Sequence, residues 1–270
     1  MVISLHKFQK HLKLIPILLR MEFLRYFEYK INTIAQFFGE LISILLMIVF
    51  WQSLFSKSLN IPGWDIKMII FFIILIKIAS SLYGIVRIIW AFDEYVVNGN
   101  LNTVLTKPVD TKFYLIVSET NPLGIISTLL YVLLLIVYSY YFTNFNIYLL
   151  IISILFCILG FVFLFILISL INLLAFWKGR MGGLRQLHVR IQRSAIEYPT
   201  IIFPQALQFF FKFFFPLSFV GTYPTLLYFN FTTTLLLEIF ITQILLLIVF
   251  ILIYNYFWKK GLKRYEGYGD

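Results

Sequence analysis

Long apolar stretches separated by short polar connections dominate this 270-residue chain. Six of them occur, at residues 31–55, 66–91, 113–142, 147–176, 199–220 and 233–257. About twenty apolar residues are enough to cross the hydrocarbon core of a bilayer as a helix. The pattern therefore predicts an all-α integral membrane protein with six transmembrane helices, and the short connections leave no room for a separate soluble domain.

The fifth stretch has an irregular pattern, because several prolines and one lysine interrupt it: Pro199, Pro204, Lys212, Pro216 and Pro224. Proline removes a helical hydrogen bond, and non-helical backbone at membrane depth survives only where it is buried in protein or lines water. We therefore expect a helix from about Pro204 that breaks near Pro216. Broken or re-entrant segments should follow on the outer side, up to about Phe231.

Positive charge is strongly biased to one side of these spans. The segment before the first span, the connections after the second and fourth, and the C-terminal tail hold most of the lysines and arginines, whereas the opposite side holds Lys57 and Lys67. By the positive-inside rule, both termini and the two longer loops face the cytoplasm. We expect one transmembrane domain over residues 1–270, with a cytoplasmic interfacial segment (1–30), a six-span bundle (31–257) and a cytoplasmic tail (258–270).

Composition agrees with this assignment. Apolar residues make up 61% of the chain and charged residues 13%, with a formal net charge of +10. Because the basic residues lie at the predicted membrane edges, the charge fits attraction to anionic lipid rather than nucleic-acid binding.

The segment before the first span is amphipathic. Its apolar residues recur at spacings of three and four, which places them on one helical face: Leu5, Phe8, Leu12, Ile15 and Leu19. Such a helix can lie in the membrane interface, with a kink at Pro16. The alternative is a basic lead-in without regular structure.

The connection at residues 92–112 contains a short predicted helix. Asn98-Gly99 indicates a turn, Leu101, Val104 and Leu105 then share one helical face, and Pro108 ends the helix. This helix either docks against a soluble partner or lies on the lipid headgroups, and the pattern alone favours neither.

The connection at residues 177–198 is rich in glycine and arginine. Three glycines end the fourth span, and Leu184, Leu187 and Ile191 then line one face of a short helix. We expect His188, among arginines, to be solvated. The role of this basic loop stays open.

Six ionisable residues fall within the spans, where charges are costly and mark functional sites by default. Their predicted depths match in opposite-sign pairs: Glu40 with Lys77, Arg87 with Glu119, and Lys212 with Glu238. Internal compensation is one interpretation. A polar pathway for a substrate headgroup is the other, with Lys212 and Glu238 the best placed to line it, next to the broken outer segment.

The sequence contains no recognisable motif for catalysis or cofactor binding. No phosphate-binding loop, zinc-protease motif or nucleophile elbow occurs. The adjacent carboxylates Asp93 and Glu94 diverge on a helix, and the single Cys157 excludes an internal disulfide. We therefore predict no catalytic, cofactor-binding or metal-binding residues.

The chain resembles the ABC-2 family of bacterial exporter permeases over nearly its whole length. The segments that carry the resemblance are the basic N-terminal helix, the six spans, the loop GNLNTVLTKP (residues 99–108), YPTIIFP (198–204), PLSFVGTYP (216–224) and the tail WKKGLKRYEGYG (258–269).

The resemblance implies a mechanism and partners. Two permeases, identical or related, would form a dimer in the bacterial cytoplasmic membrane, each bound to a separately encoded ATPase that holds ATP and Mg²⁺. The loop between spans two and three would be the coupling helix, with Gly99 and Pro108 bounding it and Leu101, Val104 and Leu105 seated in a groove of the ATPase. Short re-entrant helices would lie between spans five and six, and the substrate stays open.

Two other functions remain as alternatives. A secondary transporter driven by an ion gradient would use Glu40, Glu119 or Glu238 to carry protons, although the sequence lacks the internal repeats of many such transporters. A membrane-embedded enzyme or assembly scaffold is the third possibility, and the missing catalytic motifs argue against an enzyme.

Overall fold

Helices make up most of the chain in a computed structural model that describes residues 14–24, 30–57 and 61–265, and no β-strand forms among these residues. The helices are α1 (residues 14–24), α2 (Lys30–Ser56), α3 (Ile66–Ile85), α4 (Ile88–Val97), α5 (Leu101–Leu105), α6 (Thr111–Ser118), α7 (Pro122–Phe142), α8 (Ile147–Leu173), α9 (Ala175–Lys178), α10 (Gly182–Ile196), α11 (Gln205–Phe213), α12 (Thr222–Phe229) and α13 (Thr233–Arg264). Two short 3-10 turns, Thr200–Ile202 and Leu217–Phe219, flank α11.

Five segments of the described residues are long and apolar enough to cross a membrane: Ile34–Ser56, Ile66–Ile85, Pro122–Phe142, Ile147–Lys178 and Thr233–Arg264. Their outer faces carry exposed leucines, such as Leu45 and Leu46 on α2 and Leu245 and Leu252 on α13. Exposed apolar surface of this extent needs lipid rather than water around it. The chain is therefore a multi-pass membrane protein, as the pattern predicted.

Local capping explains where the long helices begin. Asp65, Asn121, Asn146 and Thr232 each accept a hydrogen bond from a backbone N–H group in the first turn of α3, α7, α8 and α13 respectively. These side chains satisfy donors that a helix start would otherwise leave unpaired.

Helix α3 is the centre of the bundle. Almost every residue from Met68 to Ala79 is buried, and its neighbours are α2, α7, α8 and α12. The approach of α7 is close, since a Cβ atom at Gly124 would lie 2.7 Å from the backbone nitrogen of Ile85. A helix that is apolar on all sides belongs in such a position.

The second and third stretches are not single helices, contrary to the sequence prediction. The second breaks between α3 and α4 at Val86, and the third breaks between α6 and α7 at Thr120. The two breaks lie side by side, and Val86 and Thr120 form an antiparallel bridge. The dipeptide Asn121-Pro122 is a turn signal that indicates the break between α6 and α7.

The fifth stretch is broken, as predicted. Helix α11 begins directly after Pro204 and ends at Phe213, and the second 3-10 turn and α12 follow Pro216. Nine residues of helix reach only about 14 Å, too short to cross a bilayer.

The basic segment 177–198 is packed along the bundle and is not a solvated loop. Arg185, in the first turn of α10, contacts Asp93, whereas Glu197 at its other end interacts electrostatically with Lys77. The backbone neighbours of α10 are α8 and the second 3-10 turn, so α10 lies along the bundle.

The expectation that His188 is solvated is wrong. This side chain is buried, with its ring 4.8 Å from that of Phe215 and its Nε2 atom without a hydrogen-bond partner. The buried face of α10 holds His188 and Gln192 and packs on the segment after α11, whereas the predicted apolar face of Leu184, Leu187 and Ile191 is exposed.

The predicted interfacial segment and the predicted tail are each described only in part. Residues 14–24 are helical, with Ile15 and Leu19 half-buried, while the apolar residues Leu5, Phe8 and Leu12 lie outside the described residues. At the other end α13 continues to Arg264, so the first residues of the predicted tail belong to the last helix.

Gly160 offers a test of the packing between α8 and the second 3-10 turn. A Cβ atom there would lie 2.5 Å from the carbonyl oxygen of Phe219, so backbone must shift to accept it. We expect Gly160→Ala to lower the free energy of unfolding by about 2 kcal/mol. Thermal unfolding of the purified chain in detergent measures this.

Gly39→Ala is the matched control, because a Cβ atom there meets nothing within 4 Å and alanine favours a helix interior. Equal stability of Gly160→Ala and Gly39→Ala would contradict the described contact.

Candidate functional site

The connection between α4 and α6 forms a compact hairpin, here called the α4–α6 hairpin (residues 88–118). Gly99 has a φ of 72°, which allows the reversal after α4, and the N–H of Asn98 donates to the carbonyl oxygen of Glu94. Asp110 caps α6 by accepting a hydrogen bond from Phe113 N–H at 2.9 Å. The predicted turn and short helix are therefore present, and α5 ends before Pro108.

Leu101 and Val104 are the internal anchor of the hairpin. They are 0% and 2% exposed, and they belong to one buried cluster with Phe92, Phe176 and Trp258. The prediction that both side chains sit in a partner's groove is wrong, because helices of this chain already cover them. A helical face identified by spacing does not show what covers it.

Leu105 is the apolar residue of α5 that remains available, at 38% exposure. The residues around it on the outer edge are exposed, and all but Pro108 are polar: Asn102, Thr103, Thr106, Lys107 and Pro108. The hairpin therefore presents one apolar side chain within a polar rim, and its other apolar face is held by the bundle.

Backbone hydrogen bonds join the two helix breaks above the hairpin. Arg87 N–H donates to the carbonyl oxygen of Glu119 at 2.8 Å, and Asn121 N–H donates to that of Ile85 at 2.7 Å. We call this pairing, together with the Val86–Thr120 bridge, the paired break.

Side chains reinforce the paired break. Arg87 Nη2 lies 3.3 Å from Glu119 Oε2, and Tyr95 donates a hydrogen bond to Glu119 Oε1 at 2.8 Å. The structure thus brings Arg87 and Glu119 together. Glu119, at the end of α6, ties α6 to α4, because its partners Arg87 and Tyr95 both belong to the α4 side of the break.

Asp93 and Arg185 form an ion pair that the sequence analysis missed. Arg185 Nη1 lies 2.6 Å from Asp93 Oδ1, and Met181 N–H donates to Oδ2 at 2.9 Å. Burial by itself would raise the pKa of Asp93, but the hydrogen bonds from Arg185 and Met181 and the charge of Arg185 outweigh it and lower the pKa below its ordinary value. This pair fastens α10 to the hairpin.

Lys212 and Glu238 also pair, with Nζ and Oε1 2.8 Å apart. The Lys212 ammonium lies 5.7 Å from the ring centre of Tyr223, which adds a cation–π contact. The Glu238 side chain is 62% exposed within this chain. The pair joins α11 to α13, next to the broken segment.

Glu40 and Lys77 share a cavity without pairing directly. Lys77 donates a hydrogen bond to Ser43 at 2.7 Å, while Glu40 accepts one from the Tyr131 hydroxyl at 3.0 Å. The cavity has a volume of about 310 Å³ and also borders on Gln36, Gly39, Ser80 and Ser81. Of the three predicted pairs, this is the one that forms no ion pair among the described residues.

The described part of the chain holds no recognisable metal centre. No group of three or more histidine, cysteine or acidic residues is placed to hold a metal ion there. Cys157 is fully buried, with its Sγ atom 3.5 Å from the carbonyl oxygen of Leu75.

Comparison with known proteins identifies one family. The model of the family described as ABC-2 family transporter protein matches residues 41–269, which include the hairpin, the paired break and the broken segment. No curated protein and no solved structure matches the chain significantly.

Loss of Arg185 tests the Asp93 pair. Arg185→Gln leaves a carboxylate whose side chain is only 3% exposed without its charged partner, and we expect about 3 kcal/mol of destabilisation. Because the folded pKa of Asp93 is lowered, its contribution is complete above the unfolded value, about 3.9, and fades as the pH falls through the lower folded value. Chemical unfolding over that pH range measures it.

Arg180→Gln is the control, since Arg180 is exposed and lies two residues before α10 begins. The double variant Asp93→Asn, Arg185→Gln should recover part of the lost stability. If Arg185→Gln and Arg180→Gln were equally stable, the pair would contribute nothing.

Proposed function

The chain belongs to the ABC-2 family of transporter proteins, and from this premise we propose that it is the membrane-spanning permease subunit of an ATP-driven ABC exporter. It would form the translocation pathway and couple to a separate ATPase through the α4–α6 hairpin. The observation that carries this proposal is the form of α5, which is anchored on one side and presents Leu105 on the other.

An element that receives force must be connected to what it moves. Leu101 and Val104 are buried in the same cluster as Phe176 and Trp258, at the ends of the fourth and last spans. The amide of Asn172 on α8 donates to the carbonyl oxygen of Ile89 on α4 at 2.8 Å. A push on α5 would therefore reach α8 and α13 directly.

The paired break provides a second route. A backbone hydrogen bond and the Arg87–Glu119 ion pair join α4 to α6, and a second backbone hydrogen bond, from Asn121 to Ile85, joins α7 to α3. The hairpin would therefore move the second and third spans together. Discrete joints of this kind suit the rigid-body and hinge motions by which transporters switch.

The proposed complex contains two permease chains, identical or related, and two ATPase subunits that bind ATP and Mg²⁺. In it the chain crosses the bacterial cytoplasmic membrane six times, with α10, α11 and α12 making the broken fifth crossing. This differs from the predicted topology, in which residues 177–198 form a cytoplasmic loop and the fifth span begins at Pro199. Both termini lie in the cytoplasm, where the basic residues of α1 and the tail meet anionic lipid. Export as the direction comes from the family resemblance.

A secondary transporter finds less support in the geometry. Glu119 and Glu238, two of its three candidate proton carriers, lie in ion pairs with Arg87 and Lys212. Glu40 accepts a hydrogen bond from Tyr131. Carboxylates engaged in this way favour structural roles over proton release.

Replacement of Leu105 tests whether the exposed edge of α5, here called the docking edge (residues 102–108), contacts the ATPase. Leu105→Asp puts a charge where an apolar side chain would enter the ATPase, and we expect at least about tenfold weaker association, equivalent to ~1.4 kcal/mol. Copurification and titration of the cognate ATPase against the full chain in nanodiscs measure this.

Leu105→Met and Arg180→Asp are the controls, the first because it keeps an apolar side chain and the second because it adds a negative charge outside the α4–α6 hairpin. Leu101→Asp is unsuitable, because it would place a charge in a buried cluster. Undiminished association of Leu105→Asp would remove α5 from the interface.

Glu119→Gln tests the paired break, which is the proposed joint between the hairpin and the spans, and leaves the docking edge unchanged. The variant loses the charge that holds Arg87 but retains an acceptor for Tyr95, so the hairpin should still bind the ATPase. We expect ATPase association within about twofold of the parent, because the docking edge is unchanged, and a loss of transport-coupled stimulation of ATP hydrolysis. Full stimulation in this variant would show that the joint does not transmit movement.

A further inference from the structure

The cavity that contains Glu40 and Lys77 has an unusual distribution of charge for a membrane-spanning region. It lies between α2, α3 and α7, has a volume of about 310 Å³, and is lined by one acidic side chain, one basic side chain and several hydroxyl or amide groups. Ionised groups at such positions cost about 3 kcal/mol or more, so they are retained for a reason.

The two charges do not neutralise each other by contact. Lys77 uses one of its three ammonium donors on Ser43, and Glu40 uses one acceptor site on the Tyr131 hydroxyl. Among the described residues these are the only hydrogen bonds that the two charged groups make. Both face the shared cavity with remaining capacity to bind, one as donor and one as acceptor.

The surroundings exclude several kinds of ligand. A metal cation would meet one carboxylate and the repulsion of an ammonium group. A simple anion at Lys77 would meet the negative charges of Glu40 and Glu197, both of which interact electrostatically with Lys77. An uncharged apolar group would leave both charges without compensation in a medium of low dielectric constant.

We propose that this cavity binds a zwitterionic group, with its ammonium against Glu40 and its anionic oxygens against Lys77. One such ligand satisfies both charges at once, and Ser43 and Ser80 supply further hydrogen-bonding groups around it. The ligand would be the transported molecule or a lipid held in the pathway, and in this respect the inference rests on the proposed transport function.

Two sources share this chemistry, namely a lipid headgroup and a water-soluble zwitterion. The test therefore has two arms, both with the full chain in nanodiscs and without any ATPase. In one arm O-phosphoethanolamine is titrated in the buffer against phosphatidylglycerol nanodiscs. In the other arm the nanodiscs contain phosphatidylethanolamine, and native mass spectrometry records the retained lipid. Thermal unfolding is followed in both, because a ligand of the folded state raises Tm.

We expect one of the two probes to bind and to raise Tm. Lys77→Gln and Glu40→Gln should each weaken that binding at least about tenfold, since each removes one of the two charge contacts. Lys67→Gln and Glu94→Gln, which remove exposed charges outside the cavity, should bind as the parent does. Binding to phosphatidylethanolamine alone would identify a lipid site, and binding to O-phosphoethanolamine a site open to water.

Three results would overturn the proposal. They are no binding of either probe, unchanged binding by both cavity variants, and equally tight binding of ethanolamine or inorganic phosphate, each of which carries only one of the charges. The last comparison uses the parent chain, so it decides even where a variant fails to fold. Because no ATPase is present, a negative result leaves the proposed coupling through Leu105 untouched, and loss of ATPase association leaves this site untouched.

Discussion

The backbone pairing at the two helix breaks is the constraint on which the rest of the structure depends. A helix that stops in an apolar environment leaves N–H and C=O groups that must find partners. Here the break after α3 and the break before α7 satisfy each other, through Arg87 with Glu119 and Asn121 with Ile85. The position of α4, α5 and α6 relative to the central spans follows from those few bonds.

The ionisable residues predicted within the spans, together with Asp93 and Arg185, either join separate helices or face a cavity. Among the described residues, three ion pairs join elements that are distant in sequence: Arg87–Glu119 at the paired break, Asp93–Arg185 between the hairpin and α10, and Lys212–Glu238 between α11 and α13. Glu40 and Lys77 differ, because each is held by a hydroxyl group of the protein across a common space. This division separates structural charges from those free to meet a ligand.

Much of the architecture and part of the site could be predicted from the sequence. The spans, the turn at Gly99 and the helix break near Pro216 are determined by local rules, namely apolar length, positive φ and the missing proline N–H. The family was also readable, from motifs spread along the chain. The helical face of Leu101 and Val104 was predicted correctly, but its partner was not, since periodicity identifies an apolar face and says nothing of what packs on it.

The sequence by itself therefore determined which segments are long and apolar enough to cross a membrane, that the fifth stretch is broken, and which opposite charges lie near each other. Only the tertiary structure decided that spans two and three break side by side, that α10 lies along the bundle with His188 buried, and that Leu105 alone of the three apolar residues of α5 faces outward. The physical reason is that burial, backbone pairing and ion pairing depend on residues tens of positions apart, whereas a sequence pattern reports only the next few turns of helix.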